Sequence, residues 1–323
     1  MRRKRNRFME ENIRKTETKR ILFYIGITFL LTYGYCFGVI YPFINREDSA
    51  GTGSMLSILV TVVMFFPAIG VLLTRLATKE GFKNVWIKPH FKGNIRTYLL
   101  AYFGPGVLTI LGALVYFLVY PDNFDKNFGY LGQTLAETGA QIPQETLPIV
   151  LISQTVTALL FGPIMNIVTC FGEEWGWRGY LLPKMAEKLP PIPMLLVNGV
   201  IWGLWHAPLT AVGHNYGVGY KGFPFAGIAA MCGLCIVMGT FFSYVAMKTK
   251  SCIPAVLAHG AINSIASIGI YMTKDGCNPF IGPAPTGIVG ASPFILAAIV
   301  LMIVYFRKNG NNRVDESITS EPV

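Results

Sequence analysis

About eight long apolar stretches constrain this chain more than any other feature: roughly 21–44, 56–77, 97–120, 148–172, 194–212, 225–247, 252–272 and 291–306. Each approaches the ~20 residues an α-helix needs to cross a bilayer. In lipid, only helices and closed barrels satisfy every backbone polar group. The expected fold is therefore all-α, a polytopic membrane helix bundle with about eight transmembrane helices. Composition agrees, with 52% of the 323 residues hydrophobic and 14% charged, far less charge than a soluble domain carries. The first stretch is too long for a signal-peptide core and lacks a clear small-residue cleavage site, so it reads as an uncleaved anchor.

The net charge of +10 invites a nucleic-acid reading, but its distribution excludes that class. Basic residues crowd residues 1–20, beginning Arg2-Arg3-Lys4-Arg5, and recur at Lys79–Arg96, Lys184, Lys188, Lys248, Lys250, Arg307, Lys308 and Arg313. Eight alternating spans put all of these on one side. The other side holds Arg46, Lys126, Lys221 and Lys274. A Lys/Arg excess marks the cytoplasmic face, so both termini are expected in the cytoplasm of a multi-pass plasma-membrane protein. The lipid bilayer, not nucleic acid, is the partner that this charge addresses.

The chain divides into a basic cytoplasmic tail (1–20), N-terminal spans without a motif (21–147), a motif-bearing membrane core (148–272), an outer loop and last span (273–306) and a polar tail (307–323). Residues 121–147 read as an extracytoplasmic loop with a short interfacial helix. The cysteines give no disulfide pattern: Cys36, Cys170, Cys232, Cys235 and Cys252 fall in or at the ends of spans and act as small apolar residues. Cys232-x-x-Cys235 lacks the βα context that gives that spacing a redox meaning.

Within the core, three apolar segments carry polar clusters: Glu173-Glu174-Trp-Gly-Trp-Arg178, Trp202-Gly-Leu-Trp-His206 and His259-Gly-Ala-Ile-Asn263. A charge at bilayer depth costs several kcal/mol, on the order of 2.5–3.5 by insertion scales, and survives facing a bundle interior or a wet cavity. Glu174 and Arg178 stand four apart, so they share a helical face and can pair, which makes both tolerable in apolar surroundings. Glu173 points about 100° away and is free for another task. Asn166, seven residues earlier, projects from nearly the same face and is a candidate hydrogen-bond partner. Trp202 and His206 are also four apart, with Asn198 one turn further back; His259 and Asn263 repeat the relation.

Depth supports one shared site. At ~1.5 Å per residue, His206 lies about 18 Å, His259 about 10 Å and Glu173 about 15 Å from the cytoplasmic ends of their helices. Spans of alternating direction thus bring all three clusters to comparable depth. A single site opening to the cytoplasm is the simple expectation.

Glu-Glu-x-x-x-Arg, aromatic-x-x-x-His and His-x-x-x-Asn, in this order on successive apolar segments, resemble the CPBP family. These are the CAAX-processing and bacteriocin-processing intramembrane endopeptidases, also called the Abi family. The resemblance covers residues 148–272, and Gly172 to Leu181 looks most like its bacterial branch. Trp202 stands where eukaryotic members often have Phe. The resemblance implies peptide-bond hydrolysis of a peptide or protein substrate, with Glu173 as general base for water. His206 would hold the water or a metal, and His259 and Asn263 would stabilise the oxyanion. Glu174–Arg178 would be a structural ion pair, with Asn166, Asn198 and Trp202 supporting the site. Glu173, His206 and His259 match a catalytic zinc set, while a metal-free glutamate mechanism fits the same residues, so the cofactor is zinc or none. His-Glu-x-x-His is absent, which excludes the ordinary zincin arrangement.

Other readings compete. Single intramembrane His or Asn residues often serve as hydrogen bonds between helices. Intramembrane Glu, His and Arg also mark ion-coupled transporters, although those usually show two related halves. A non-catalytic immunity or regulatory scaffold of the same family would keep the fold and tolerate loss of Glu173. His90 and His214 read as solvent-facing, and Gly179, Gly199 and Gly203 as close-packing positions between helices. The substrate and the oligomeric state are open at this stage.

Overall fold

A computed structural model describes residues 2–45 and 52–307. The side chains of the first basic residues, Arg46 and the polar tail from Lys308 onward lie outside the described residues. Among those described, the chain is helical, and extended pairing is confined to an isolated bridge between Phe124 and Thr273. Helix α1 spans Arg2–Tyr35 and runs through a π-wound turn into α2, Tyr41–Ile44. Next come α3 (Thr52–Val63), α4 (Phe66–Ala77) and α5 (Ile95–Val119). The 121–147 loop contains α6 (Gly129–Glu137), the short helix expected there. The fourth apolar segment is broken into α7 (Leu147–Leu160), α8 (Gly162–Met165) and α9 (Ile167–Glu174). A π-wound stretch, Trp175–Leu181, joins α9 to α10 (Leu182–Ala186). There follow α11 (Pro191–Trp205), α12 (Ala207–Thr210), α13 (Phe225–Thr249), α14 (Ile253–Ile265) and α15 (Ser292–Leu301).

Among the described residues, five helical segments, Lys15–Ile44, Met55–Ala77, Ile95–Val119, Phe225–Thr249 and Ile253–Met272, are long and apolar enough to cross a membrane. The other three expected spans are present as shorter apolar helices, Pro191–Trp205 and Ser292–Phe306, and as the broken 147–186 segment. Leu99, Phe103, Val107, Leu111, Leu114 and Leu118 form an exposed stripe along α5. The spacing of three and four residues puts them on one helix face, which water would not tolerate at this length and lipid would.

Contacts define the two ends of the bundle. At one end, Lys184 pairs with Glu17 and, at 2.7 Å, with Glu80. There too Tyr180 donates to Glu80 at 2.8 Å, and the Cys252 amide donates to the Trp86 carbonyl at 2.7 Å. This basic end gathers residues 17–20, 78–92, 180–188 and 248–252. At the opposite end, the Asp125 amide donates to Met272 and the Lys274 amide to Asn123, while Tyr216 stacks on Phe280 at 5.0 Å. The loops that alternating spans place together are thus in contact.

The site helices meet where glycine permits. Cβ atoms on Gly199 and Gly203 of α11 would come within 2.6 Å of Ile236 and 2.5 Å of Cys232 on α13, so these helices cross backbone to backbone, as their expected packing role requires. The motif-free N-terminal helices are built into the same core. Tyr24 of α1 is fully buried against Trp177 and Tyr180, and Trp205 donates to Thr32 at 2.6 Å.

Candidate functional site

The break that positions Glu173 lies at Asn166, whose φ of −91° and ψ of 4° end α8 before α9 begins. Asn166 donates to the Gly162 carbonyl at 3.0 Å and to Ser264 Oγ at 2.8 Å, tying α8 to α14 rather than supporting Glu173. Its side-chain amide thus bonds Gly162 and Ser264 and not the Glu173 carboxylate expected as its partner.

Glu173 and Glu174 are both buried, 3% and 0% exposed, and they have different partners. Trp202 Nε1 donates to Glu173 Oε2 at 3.0 Å. Glu174 Oε1 receives Arg178 NH1 at 3.1 Å and His259 Nδ1 at 2.9 Å. The pair with Arg178 forms, and its role reaches further than a scaffold, because it also orients His259. The Arg178 guanidinium lies 4.1 Å from the Trp202 ring centre and 5.2 Å from that of Phe242, geometry that attracts a cation to an aromatic face. One indole thus offers its N–H edge to Glu173 and its face to Arg178.

His206 ends α11, with Nδ1 at 2.9 Å from the Trp202 carbonyl. A carbonyl only accepts, so Nδ1 carries the proton and Nε2 keeps a lone pair. His259 stacks on Phe242 at 5.5 Å. Asn263, one turn beyond, places Nδ2 3.7 Å from Cys170 Sγ. Asn198 is buried against Met185, with Nδ2 3.8 Å from its sulfur; it lies toward the basic end and not at the cavity.

Glu173, Trp202, His206, His259 and Asn263 line one cavity of about 350 Å³. Its walls are mostly apolar, from Val60 and Val63 to Met238 and Phe242, and the lining holds no Lys or Arg. Such a chamber, apolar with a few convergent polar groups, is typical of a ligand site. A second cleft, lined by Gln154, Thr157, Asn166 and Ser264, adjoins it and shares Asn263 and Ser267.

His214 and Asn215 also line the cavity, together with Pro285 and Thr286. His214 is therefore half-buried at the chamber, not simply solvent-facing, and burial pushes its imidazole below the usual range. His90 is exposed, but its Nδ1 lies 2.9 Å from the Thr249 carbonyl at the end of α13. His214, Asn215, Pro285 and Thr286 all belong to the loop end opposite the basic one.

The metal reading can be tested against the donors. Among the described residues, Glu173, Glu174 and His259 bring ligand atoms within 4.8 Å of one another. His206, expected as a ligand with Glu173 and His259, is outside that group. The two-imidazole, one-carboxylate set common in catalytic zinc sites is not assembled. Glu174 is moreover committed to Arg178, whose fixed positive charge opposes a second cation. The residues fit zinc poorly.

Sequence reasoning missed α13, which carries no polar motif. Met231, Cys235, Met238 and Phe242 recur at helical spacing and line the cavity. A Cβ on Gly239 would lie 2.9 Å from Arg178 NH2, so this glycine makes room for the guanidinium. The spacing was a signal available in the sequence; the notch at Gly239 was not.

Comparison with known proteins agrees with this geometry. Residues 155–265 match the family model described as Type II CAAX prenyl endopeptidase Rce1-like. A segment of 95 residues is 30% identical to CAAX prenyl protease 2 of Methanococcus maripaludis, covering 28% of this chain and 34% of that protein. The chain thus spans about a third of the length of this curated relative.

Proposed function

We propose, from the match of residues 155–265 to the Rce1-like CAAX prenyl endopeptidase model, that this multi-pass membrane protein is an endopeptidase using a glutamate-activated water. The observation that carries the reading is the convergence of Glu173, His206, His259 and Asn263 from three separate segments on one cavity.

Glu173 takes a proton from water as its oxygen attacks the scissile carbonyl carbon, then returns that proton to the departing amine. The Trp202 N–H holds one carboxylate oxygen and leaves the other for the water. His206, with its proton fixed on Nδ1, offers Nε2 as an acceptor that orients the water. Asn263 Nδ2 donates to the developing oxyanion, and His259, oriented by Glu174, donates there when Nε2 is protonated. Each such preorganised donor contributes roughly 3–4 kcal/mol to transition-state stabilisation. A divalent ion held by Glu173, Glu174 and His259 would act as a Lewis acid, but the poor donor match leaves the metal-free route as our reading.

We orient the protein with the basic end in the cytoplasm and both termini there, in the plasma membrane, on the charge distribution alone. The substrate is a peptide or a protein segment. Prenylated Cys-a-a-X tails, the class implied by the relative's name, are one candidate.

The test compares wild type with Glu173→Gln, purified in detergent, on internally quenched peptides and prenylated Cys-a-a-X peptides. Cleavage by wild type and its loss in the variant are expected. Comparable cleavage by both would remove Glu173 from the mechanism. Full cellular function of Glu173→Gln would instead favour a non-catalytic scaffold.

A further inference from the structure

We infer that His214 is a substrate-binding residue, whose imidazole hydrogen-bonds the main chain of a peptide beside the scissile bond. This deepens the endopeptidase reading and rests on it.

The loop after α12 is built to hold this ring in place. Its backbone closes back on α12, the Gly213 amide donating to Thr210 and the His214 amide to Leu209, both at 3.0 Å. The path needs left-handed backbone at Gly213 (φ 96°), Asn215 (φ 68°) and Gly217 (φ 72°). Glycine adopts such values freely, and asparagine more readily than most residues. Tyr216, 2% exposed, anchors the turn by stacking on Phe280 at 5.0 Å. His214 is thereby fixed against the cavity that holds Glu173, His206, His259 and Asn263. The other three histidines each have a partner: His90 the Thr249 carbonyl, His206 the Trp202 carbonyl and His259 Glu174. Among the described residues the His214 ring has none, nor has the hydroxyl of Thr286, which lines the same cavity. Two neutral polar groups thus face the chamber with their hydrogen-bonding capacity unused.

What the chamber lacks defines what these groups are for. An extended peptide carries an N–H and a C=O at nearly every residue, and each is costly to leave unmet once shielded from water. The walls formed by Met231, Leu234, Met238 and Phe242 offer no such partner. In the proposed mechanism Glu173, His206, His259 and Asn263 are engaged at the scissile carbonyl and its water, so the neighbouring peptide unit must look elsewhere. Neutral imidazole offers one N–H and one lone pair, and burial pushes the His214 ring below the usual range, toward that neutral form. It can meet a main-chain N–H or C=O without demanding a charge on the substrate. The ligand of this subsite is therefore an uncharged peptide main chain, with side-chain preference left to the apolar walls.

The test uses the full-length protein in detergent with a panel of internally quenched peptides. Binding of labelled copies is measured on the Glu173→Gln background, and kcat and KM on the otherwise wild-type chain. His214→Phe keeps a planar ring and removes both nitrogens. It is expected to weaken binding about 3–10-fold, the worth of one neutral hydrogen bond, and to raise KM in step with little change in kcat. His214→Gln, which supplies a donor and an acceptor again, should recover most of the affinity. In the best-cleaved peptide, an ester replacing the peptide bond on either side of the scissile one removes an N–H and weakens the carbonyl. At one of these positions the difference between wild type and His214→Phe should disappear. A histidine that merely packs would give the same difference with every peptide, which overturns the proposal, as does unchanged affinity or a fall in kcat alone. His214→Leu takes the place of His214→Phe if the latter is not recovered folded. Cleavage with binding indifferent to His214 removes this subsite alone. Binding that depends on His214 without any cleavage keeps the subsite and removes the endopeptidase reading.

Discussion

Glu174 and His259 meet at 2.9 Å, carboxylate Oε1 to imidazole Nδ1, on the same oxygen that receives Arg178. One atom thus serves both the fold and the site. Glu174→Gln should lower stability by roughly 3–5 kcal/mol, because Arg178 is left buried without a counter-charge. The same change should reduce cleavage by loosening His259. Glu174→Gln combined with Arg178→Met should recover most of the stability and little of the activity. Thermal unfolding at a fixed scan rate, beside cleavage assays, separates the two effects. A double variant with wild-type activity would show that His259 needs no orientation from Glu174.

Glu173→Gln should behave in the opposite way. The amide oxygen can still accept the Trp202 N–H, so unfolding should shift little, while turnover falls by about 10²–10⁴ as general-base catalysis is lost. A large loss of stability would mean that the carboxylate is chiefly a packing element.

Asn263 is exposed within the cavity, and its nearest polar partner is a sulfur. Asn263→Ala should therefore fold normally and lose about 10²–10³ in kcat with little change in KM, the signature of a lost oxyanion donor. A raised KM at unchanged kcat would assign Asn263 to substrate binding instead.

Gly239→Ala tests the notch that seats the guanidinium. The added methyl would lie 2.9 Å from Arg178 NH2, and overpacking of this kind costs about 1–3 kcal/mol. Cleavage should also fall, because Arg178 and Trp202 move together. An unchanged melting temperature would show that the guanidinium has room to shift.

Metal content gives a separate check. Purified protein should hold zinc well below one per chain, and cleavage should persist after chelation. Stoichiometric zinc together with chelator-sensitive cleavage would overturn the metal-free route and place Glu173, Glu174 and His259 around the ion.

The helical character of the chain was legible because bilayer-length apolar runs leave few alternatives. The meeting of Glu173, Trp202, His206, His259 and Asn263 was legible from order and depth. The partner of Asn166 was not legible, because Ser264, which it bonds, comes from a helix some hundred residues further along the chain. His214 was misread because a loop position carries no periodicity to show that it folds back over the chamber. The contribution of α13 was hidden for a related reason: apolar walls and a missing side chain at Gly239 have no polar signature.

Trp202 carries a consequence for anyone who would redesign this protein. Its edge restrains the carboxylate proposed to react and its face carries a cation that does not, so reactivity and integrity are fastened to one ring. Phenylalanine would keep the platform and drop the tether; glutamine could keep a tether and would drop the platform. An altered catalytic group at 173 must therefore be compatible with an indole already held in place by Arg178, which narrows the replacements this scaffold will accept.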